Sequence, residues 1–417
     1  MAEAGPLLGA TLELEVGGAA SGGSCVARYD GRVVFVRHAL PGERVLAVVT
    51  EDRGGSFCRA DAVQVLVAST DRVEPPCPYA GPGRCGGCDW QHAAASAQHK
   101  LKADVIRDQF ARIGGIDVAG LLGDVEELPG GLLGWRSRIT YAVDDDGRPG
   151  LHRHRDAGIE PVRRCPLGVP GVGDADVLAR SWPGVTGVEV VRGDDEAITV
   201  LSHRPGAGRR GHGRRPPDRV AVVEGPAEVR RVIGAREFTV AASGFWQVHP
   251  HAVAAFADAI VSGVALRPGE RVLELFAGSG ALTAFLGGAV GSTGEVLGIE
   301  ATAAAVSDAE RNLADLPWAA VRRGRVDAAL VAGLGVQPDV VVLDPPRAGA
   351  GKPLMEAVLT LAPRSVGYVS CDAASLARDV RVAVDAGWRL ARLRAFDAFP
   401  MTAHVECVAV LVPAGHA

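Results

Sequence analysis

Short apolar runs separated by turn residues open the chain. TLELEV, CVARYDGRVVFVRHALPGERVLAVVTE and SFCRADAVQVLVAS predict about five strands within residues 1–72, with Asp30-Gly31 as a hairpin signal. A small β-barrel of the OB kind closes such a set. The pattern then turns helical over residues 93–113, where Leu101, Val105, Ile106 and Phe110 alternate with Lys100, Lys102 and Arg107. This helix is expected to connect two bodies. Residues 120–240 read as α+β, with strands near 137–143, 187–191, 197–202 and 219–223. In the last third strands and helices alternate. RVLELF, EVLGIE, DVVVLD, SVGYVS, RLARLRAF and HVECVAVLV are the strands of a doubly wound α/β sheet. The expected division is a β-barrel over 1–72, a central α+β domain over 73–239 and an α/β domain over 240–417.

Composition narrows the class. A chain of 417 residues with 47% hydrophobic content can bury a sizeable core, and its length suggests two to four domains. It has no run of about 18 uninterrupted apolar residues, so no membrane span is expected. MAEAGPLLGA lacks a basic leader, which argues against a signal peptide. Eight cysteines in so long a chain do not suggest a disulfide framework, and a cytoplasmic monomer is expected. The net charge of −5 gives no global basic character. Lysine occurs only at 100, 102 and 352 while arginine is abundant, a bias that leaves only arginine clustering informative. One cluster holds Arg148, Arg153, Arg155, Arg163 and Arg164; another holds Arg204, Arg209, Arg210, Arg214, Arg215 and Arg219. The second lies in a Gly/Pro-rich loop. It reads either as phosphate contacts on a polynucleotide or as a solvated, compositionally biased loop.

Three stretches carry candidate chemistry. In VEPPCPYAGPGRCGGCDWQH, Cys77, Cys85 and Cys88 stand among prolines and glycines that cannot form regular structure, and Cys165 lies downstream in RRCPL. Spacing alone leaves three readings open: an iron–sulfur cluster, a zinc ion, or unligated thiols. In RVLELFAGSGALT, Gly278 and Gly280 follow a strand and let a ligand approach the backbone, and Glu300 ends the next strand, where it can accept hydrogen bonds from ribose hydroxyls. A dinucleotide fingerprint would have a third glycine at 283, where Thr283 stands. The backbone then makes no provision for a pyrophosphate, and S-adenosylmethionine is the fitting cofactor. In VGYVSCDAASLARDV, Cys371 ends an apolar strand just before a helix, the place where open α/β sheets bind ligands. It is a candidate nucleophile, with a buried structural thiol as the plain alternative. Asp344 in DPPR and Glu406 in FPMTAHVEC keep it company.

With these stretches in view, the chain resembles the S-adenosylmethionine-dependent RNA uridine C5-methyltransferase family over nearly its whole length. DGRVVFVRHALPGERV resembles the TRAM barrel carried by many members. CPYAGPGRCGGC with Cys165 resembles the family's cluster-binding cysteines, which implies a 4Fe–4S cluster, although the first spacing exceeds the family's five intervening residues. SGFWQVHP implies that Gln247 touches the cofactor. Phe276 matches the aromatic residue of the methionine-proximal loop, whereas Ala281 stands where the family often has Asn. Glu300 matches the ribose acid, and Asp327 is the counterpart of the adenine-side acid. LDPPRAG, YVSCD and HVE match the catalytic motifs, with Asp372 in place of the usual Asn.

The implied chemistry needs these residue types. C5 of uracil is too weak a nucleophile for a sulfonium methyl group; a thiolate added at C6 turns the ring into an enolate. Cys371 would be that thiolate, with a pKa expected to be lowered by the helix N-terminus. Glu406 would remove the C5 proton, and Asp344 would hold the ring or the cofactor's amino end. The base must be splayed out of folded RNA, ribosomal RNA being favoured and transfer RNA the second choice. The competing classes are a catalytically idle RNA-binding protein, an amino-methylating enzyme that needs no cysteine, and an RNA cytosine C5-methyltransferase.

Overall fold

The computed structural model describes residues 6–206 and 218–415. Strands β1 (Thr11–Glu15), β2 (Ala19–Ala20), β3 (Ser24–Tyr29), β4 (Arg32–Arg37), β5 (Arg44–Asp52) and β6 (Phe57–Val67) form one sheet, in the order β1-β5-β6-β4-β3-β2. Inward positions such as Leu12, Leu14, Val34, Val36, Val45, Ala47 and Val49 alternate with polar residues and make a closed apolar interior. β1 approaches β3, so the sheet curls towards a barrel. The Asp30-Gly31 turn joins β3 to β4 with φ of 47° and 78°, the positive values a two-residue hairpin requires. The sheet has six strands, the additional one being the two-residue β2.

Helix α1 (Ala95–Gln109) follows, and its last turn widens into a π-helical turn over Phe110–Gly114. The expected helix is therefore present, with a change of winding at its end. A second sheet is built from β8 (Arg138–Val143), β9 (Pro149–His152), β10 (Ile159–Pro161), β11 (Gly187–Arg192), β12 (Ile198–Arg204) and β13 (Arg219–Glu224), after the two-residue strand β7 (Glu126–Glu127). The hairpin β14 (Glu228–Ile233) and β15 (Arg236–Ala241) packs through β15 against the helix Ala303–Asn312. In the first arginine cluster, Arg148, Arg153 and Arg155 are ion-paired with Asp144, Glu160 and Glu51. In the second, Arg204 and Arg219 lie opposite each other on β12 and β13. Arg209, Arg210, Arg214 and Arg215 lie outside the described residues.

The last third alternates as expected: α2 (Ala252–Gly263), β16 (Arg271–Leu275), α3 (Ala281–Val290), β17 (Glu295–Glu300), α4 (Ala303–Asn312), β18 (Ala319–Arg323), α5 (Ala328–Gly333), β19 (Val340–Leu343), α6 (Lys352–Thr360), β20 (Ser365–Ser370), α7 (Ala373–Asp385), β21 (Trp388–Asp397) and β22 (Glu406–Pro413). The sheet order is β18-β17-β16-β19-β20-β22-β21-β7. Strands β16 to β20 are parallel and covered by helices, which is why they read as continuous apolar runs. β22 inserts antiparallel between β20 and β21. The chain order reverses between β16 and β19, and ligands of open α/β sheets bind at such a crevice. The apolar pattern does not predict two strands of this sheet: β18 at one edge, and β7, from the central segment, which completes the far edge by pairing parallel to β21.

Lys102 on α1 ties these bodies together. It is 1% exposed, and its Nζ lies 2.5 Å from Asp397 Oδ1 and 3.1 Å from the Phe399 carbonyl. His99 Nε2 stands 3.2 Å from the other Asp397 oxygen. Removing one partner of a buried pair strands the other charge, at a cost of about 3–5 kcal/mol. Lys102→Ala should therefore lower unfolding stability by roughly that amount in urea titrations. Lys352→Ala, on an exposed helix start, should change it by under about 0.5 kcal/mol.

Candidate active site

Strand register assembles the centre. Leu275 pairs with Ile299 and with Leu343, and Leu343 pairs with Tyr368. Phe276, Glu300 and Asp344 therefore emerge side by side at the carboxyl edge of the sheet, and Cys371 follows the end of the next strand, β20. Ser370 pairs with Cys407 across the antiparallel β20–β22 ladder. The ladder ends there, with Cys371 and Glu406 the next residue on each strand, and the Glu406 charge acts on the Cys371 thiol, so residues 35 positions apart are brought together.

The electrostatics follow from that crowding. Burial first, then the Glu406 charge, push the half-buried Cys371 thiol up to about 11, with Asp344 adding and Arg347 opposing. The expected lowering by the helix N-terminus is thus outweighed by burial and two nearby acids. Glu406, 3% exposed, is held well above the ordinary carboxyl range by burial and by Asp344, again with Arg347 opposing. Burial lifts Asp344 to about 7. Arg347 is the common counter-charge. It lies within the DPPR segment, but its role depends on which side chains face it, which the motif alone does not state. It stands 3.3 Å from His404 Nδ1. Asp372, the residue after Cys371, acts locally. Its Oδ1 accepts from Ser375 N at 2.8 Å and caps α7.

Beside this cluster lies the glycine loop. Phe276 has φ +69°, a left-handed conformation uncommon for a non-glycine residue and concentrated at functional sites. Gly278 has φ +55° and open space where a Cβ would stand, whereas a Cβ on Gly280 would meet Ala309 Cβ at 3.0 Å. Glu300 accepts from Gly278 N at 3.1 Å and from Thr302 N at 2.7 Å, so the acid also shapes the loop. Gln247 is half-buried in the segment before α2, which is fastened to β8 through Ser137, whose N and Oγ both donate to the Val248 carbonyl at 2.9 Å. Phe245, two residues before Gln247, is 75% exposed. Asp327 caps α5 through the Leu330 N–H at 2.9 Å.

Under the loop sits Glu274, which a reading of the sequence misses because it falls in the middle of an apolar strand. It is 1% exposed, and its Oε2 has no partner among the described residues. Burial and the Asp344 charge raise it to about 8. Between its ordinary value of 4.5 and about 8 the folded protein holds a proton that the unfolded chain releases, so stability falls as pH rises through that window. Glu274→Gln should remove about 1.4 kcal/mol per pH unit of that decline, read by calorimetry across the window.

Away from this centre, Cys77, Cys85, Cys88 and Cys165 line one cavity of about 40 Å³ with Tyr79 and Arg136. Cys77 and Cys165 are buried, Cys85 and Cys88 half-buried. Gly86 lets the loop dock: a Cβ there would lie 2.6 Å from His154 N. Burial raises the thiols of Cys85, Cys88 and Cys165. Among the described residues no group of three or more His, Cys, Asp or Glu side chains is arranged as a metal ligand set. No described helix is long and apolar enough to cross a membrane.

The fold and its domains have counterparts among known proteins. Residues 7–63 match the TRAM domain, 242–331 the protein-L-isoaspartate(D-aspartate) O-methyltransferase model and 335–413 the tRNA (Uracil-5-)-methyltransferase model. The crystal structure of Pyrococcus abyssi tRNA (uracil-54, C5)-methyltransferase with S-adenosyl-L-homocysteine superposes with a TM-score of 0.69 at 19% identity, covering 96% of this chain and 100% of that one. The fold is that of a Rossmann-like S-adenosylmethionine methyltransferase behind a TRAM domain. An uncharacterized RNA methyltransferase of Streptomyces avermitilis is 45% identical, over 98% of this chain and 99% of its own. The 23S rRNA (uracil(1939)-C(5))-methyltransferase RlmD of Alkalilimnicola ehrlichii is 33% identical, over 95% and 96%. The chain belongs to the RNA (uracil-C5)-methyltransferase family.

Proposed function

We propose that the protein transfers a methyl group from S-adenosylmethionine to C5 of a uridine in structured RNA through a covalent Cys371–C6 intermediate. The observation that carries this reading is the meeting of Cys371 and Glu406 at the end of the β20–β22 ladder, where the charges of Glu406, Asp344 and Arg347 all act on the thiol. Ribosomal RNA is the favoured substrate, given the relative that acts on 23S rRNA over nearly equal length. Transfer RNA is the second choice. We divide the chain into a TRAM-like domain over 1–72, a central domain over 73–239 that lends β7 to the last sheet, and a catalytic domain over 240–417.

S-adenosylmethionine supplies an electrophilic methyl group when bound. The open side of Gly278, the Glu300 carboxylate, the half-buried Gln247, Phe276 and Gly280, with Asp327 towards the adenine, fit a nucleoside cofactor without phosphate. The Cys371 thiolate adds to C6 and the C5–C6 π electrons move into an enolate. The enolate's electron pair forms the bond from C5 to the methyl group, and the electrons of the broken S–CH3 bond leave with S-adenosylhomocysteine. Glu406 removes the C5 proton, the C5=C6 bond re-forms and the Cys371 thiolate leaves. Arg347 favours the thiolate and the carboxylate, the two forms the cycle needs. Asp344 orients the ring or the cofactor's amino end. The exposed Phe245 ring offers a stacking surface to an extruded base.

Labelled methyl transfer to bulk RNA, followed by nucleoside analysis, tests the reading: 5-methyluridine is expected, and 5-methylcytidine or no labelled nucleoside would overturn it. RNA carrying 5-fluorouridine should form an adduct with the wild type and none with Cys371→Ala. Glu406→Gln should methylate once and stall with natural RNA attached, because loss of a positioned base costs about 10²–10⁴ in rate.

The four cysteines line one cavity without being arranged as a metal ligand set, and we propose that a 4Fe–4S cluster, when bound, would draw Cys77, Cys85, Cys88 and Cys165 together and tie the loop to the central domain. Protein purified without oxygen should be brown and contain about four irons per chain. Stoichiometric zinc without iron would reject the assignment.

A further inference from the structure

Glu406 is the first residue of β22, and residues 398–405 connect it to β21. This connection is buried at Ala398, Met401, Thr402 and Val405, and Met401 is held at φ +68°. What holds it is a stretch some 300 residues earlier in the chain. Asp89 N and Trp90 N donate to the Met401 carbonyl at 3.0 and 3.1 Å. Asp89 Oδ2 accepts from Ala403 N at 2.9 Å. Gln98 Oε1 accepts from Met401 N at 2.9 Å, and its Nε2 lies 3.4 Å from Met401 Sδ. Lys102 donates to the Phe399 carbonyl. Inside the connection only Thr402 and its neighbours bond to one another: Thr402 N and Oγ1 to the Phe399 carbonyl, and His404 N to Thr402 Oγ1. The turn before Glu406 is therefore shaped from outside itself.

Asp89 follows Cys88 directly, and Arg37, 6% exposed, reaches its Oδ1 at 3.5 Å from the TRAM sheet. At its other end the connection reaches His404, which meets Arg347, and Arg347 acts on both Cys371 and Glu406. One aspartate thus links the cysteine-bearing loop, the TRAM sheet and the turn that presents Glu406. A reacting group displaced by about 1 Å can lose about 10²-fold in rate.

We propose that Asp89 is a positioning residue for proton removal: through Ala403 and Met401 it fixes the turn that presents Glu406, so the cysteine loop sets how fast the methylated intermediate is resolved. This rests on Glu406 being the base. Methyl transfer precedes proton removal and takes no reacting group from this turn, so the two steps should separate.

The test is single-turnover reaction of the full chain with natural RNA and labelled S-adenosylmethionine, following label on RNA and protein–RNA adduct on denaturing gels. Asp89→Ala should transfer label within about twofold of wild type, while the adduct persists roughly 10–100-fold longer. Asp89→Asn, which keeps an oxygen to accept from Ala403 N, should restore adduct release. Gln98→Leu loosens Met401 from the other side and should reproduce the persistent adduct, which keeps the test decisive if Asp89→Ala folds poorly. Equal losses in labelling and release, no rescue by Asn, or a wild-type adduct lifetime in both loosened variants would overturn the proposal. Glu406→Gln runs in parallel: normal turnover there overturns the base assignment itself, whereas a trapped adduct there with wild-type release in Asp89→Ala overturns only the positioning role.

Discussion

The site depends on one hydrogen-bonded ladder, the antiparallel pairing of β20 with β22. Its register, Ser370 with Cys407, decides which side chains meet at the sheet's edge. Because side chains alternate faces along a strand, a slip of one residue would turn Glu406 to the other face of the sheet, away from Cys371. The slip is resisted by burial, since Cys407, Val408, Ala409, Val410 and Leu411 are all essentially inaccessible. Packing of the sheet and the geometry of the thiol–carboxyl pair are therefore fixed by the same contacts.

That geometry places two carboxyl groups and a thiol near one another with a single arginine to offset them. Cys371 lies at about 11, Asp344 at about 7 and Glu406 above its ordinary range. Near neutral pH the centre by itself favours the protonated thiol, an inert form that shelters a nucleophile from stray electrophiles and oxidants. Arg347 is exposed, Asp344 half-buried and Glu406 buried. A ligand that covered Arg347 would exclude water from it and strengthen its field at Cys371 and Glu406. The centre is thus built to change ionisation when something occupies it.

Much of this is legible in the chain. The alternating apolar runs of the last third announce most of the strands from β16 to β22, and the placement of Cys371 at a strand end follows from where its run stops, whereas Glu406, expected inside the last strand, is its first residue. Other features need the third dimension. β7 is two residues long and carries no periodicity. Arg347 and Glu274 act through neighbours brought by other strands. The direction of the thiol's shift escapes the sequence because a helix terminus is visible locally, whereas burial and the Glu406 charge come from the fold and from a residue 35 positions on. Asp372 reads as a motif departure, yet its side chain does what aspartate commonly does before a helix.

The short strand β7 has a consequence for how the molecule is made. The edge it closes, against β21, is completed by a segment more than 250 residues earlier in the chain. During synthesis that segment must wait, unpaired, until the final strands emerge. The catalytic body consequently cannot finish its own sheet from its own stretch of sequence, and if cut free at residue 240 it would present the backbone of β21 as an open edge to other chains. What a linear division separates into modules, the hydrogen bonding of the last strand joins into one unit of assembly.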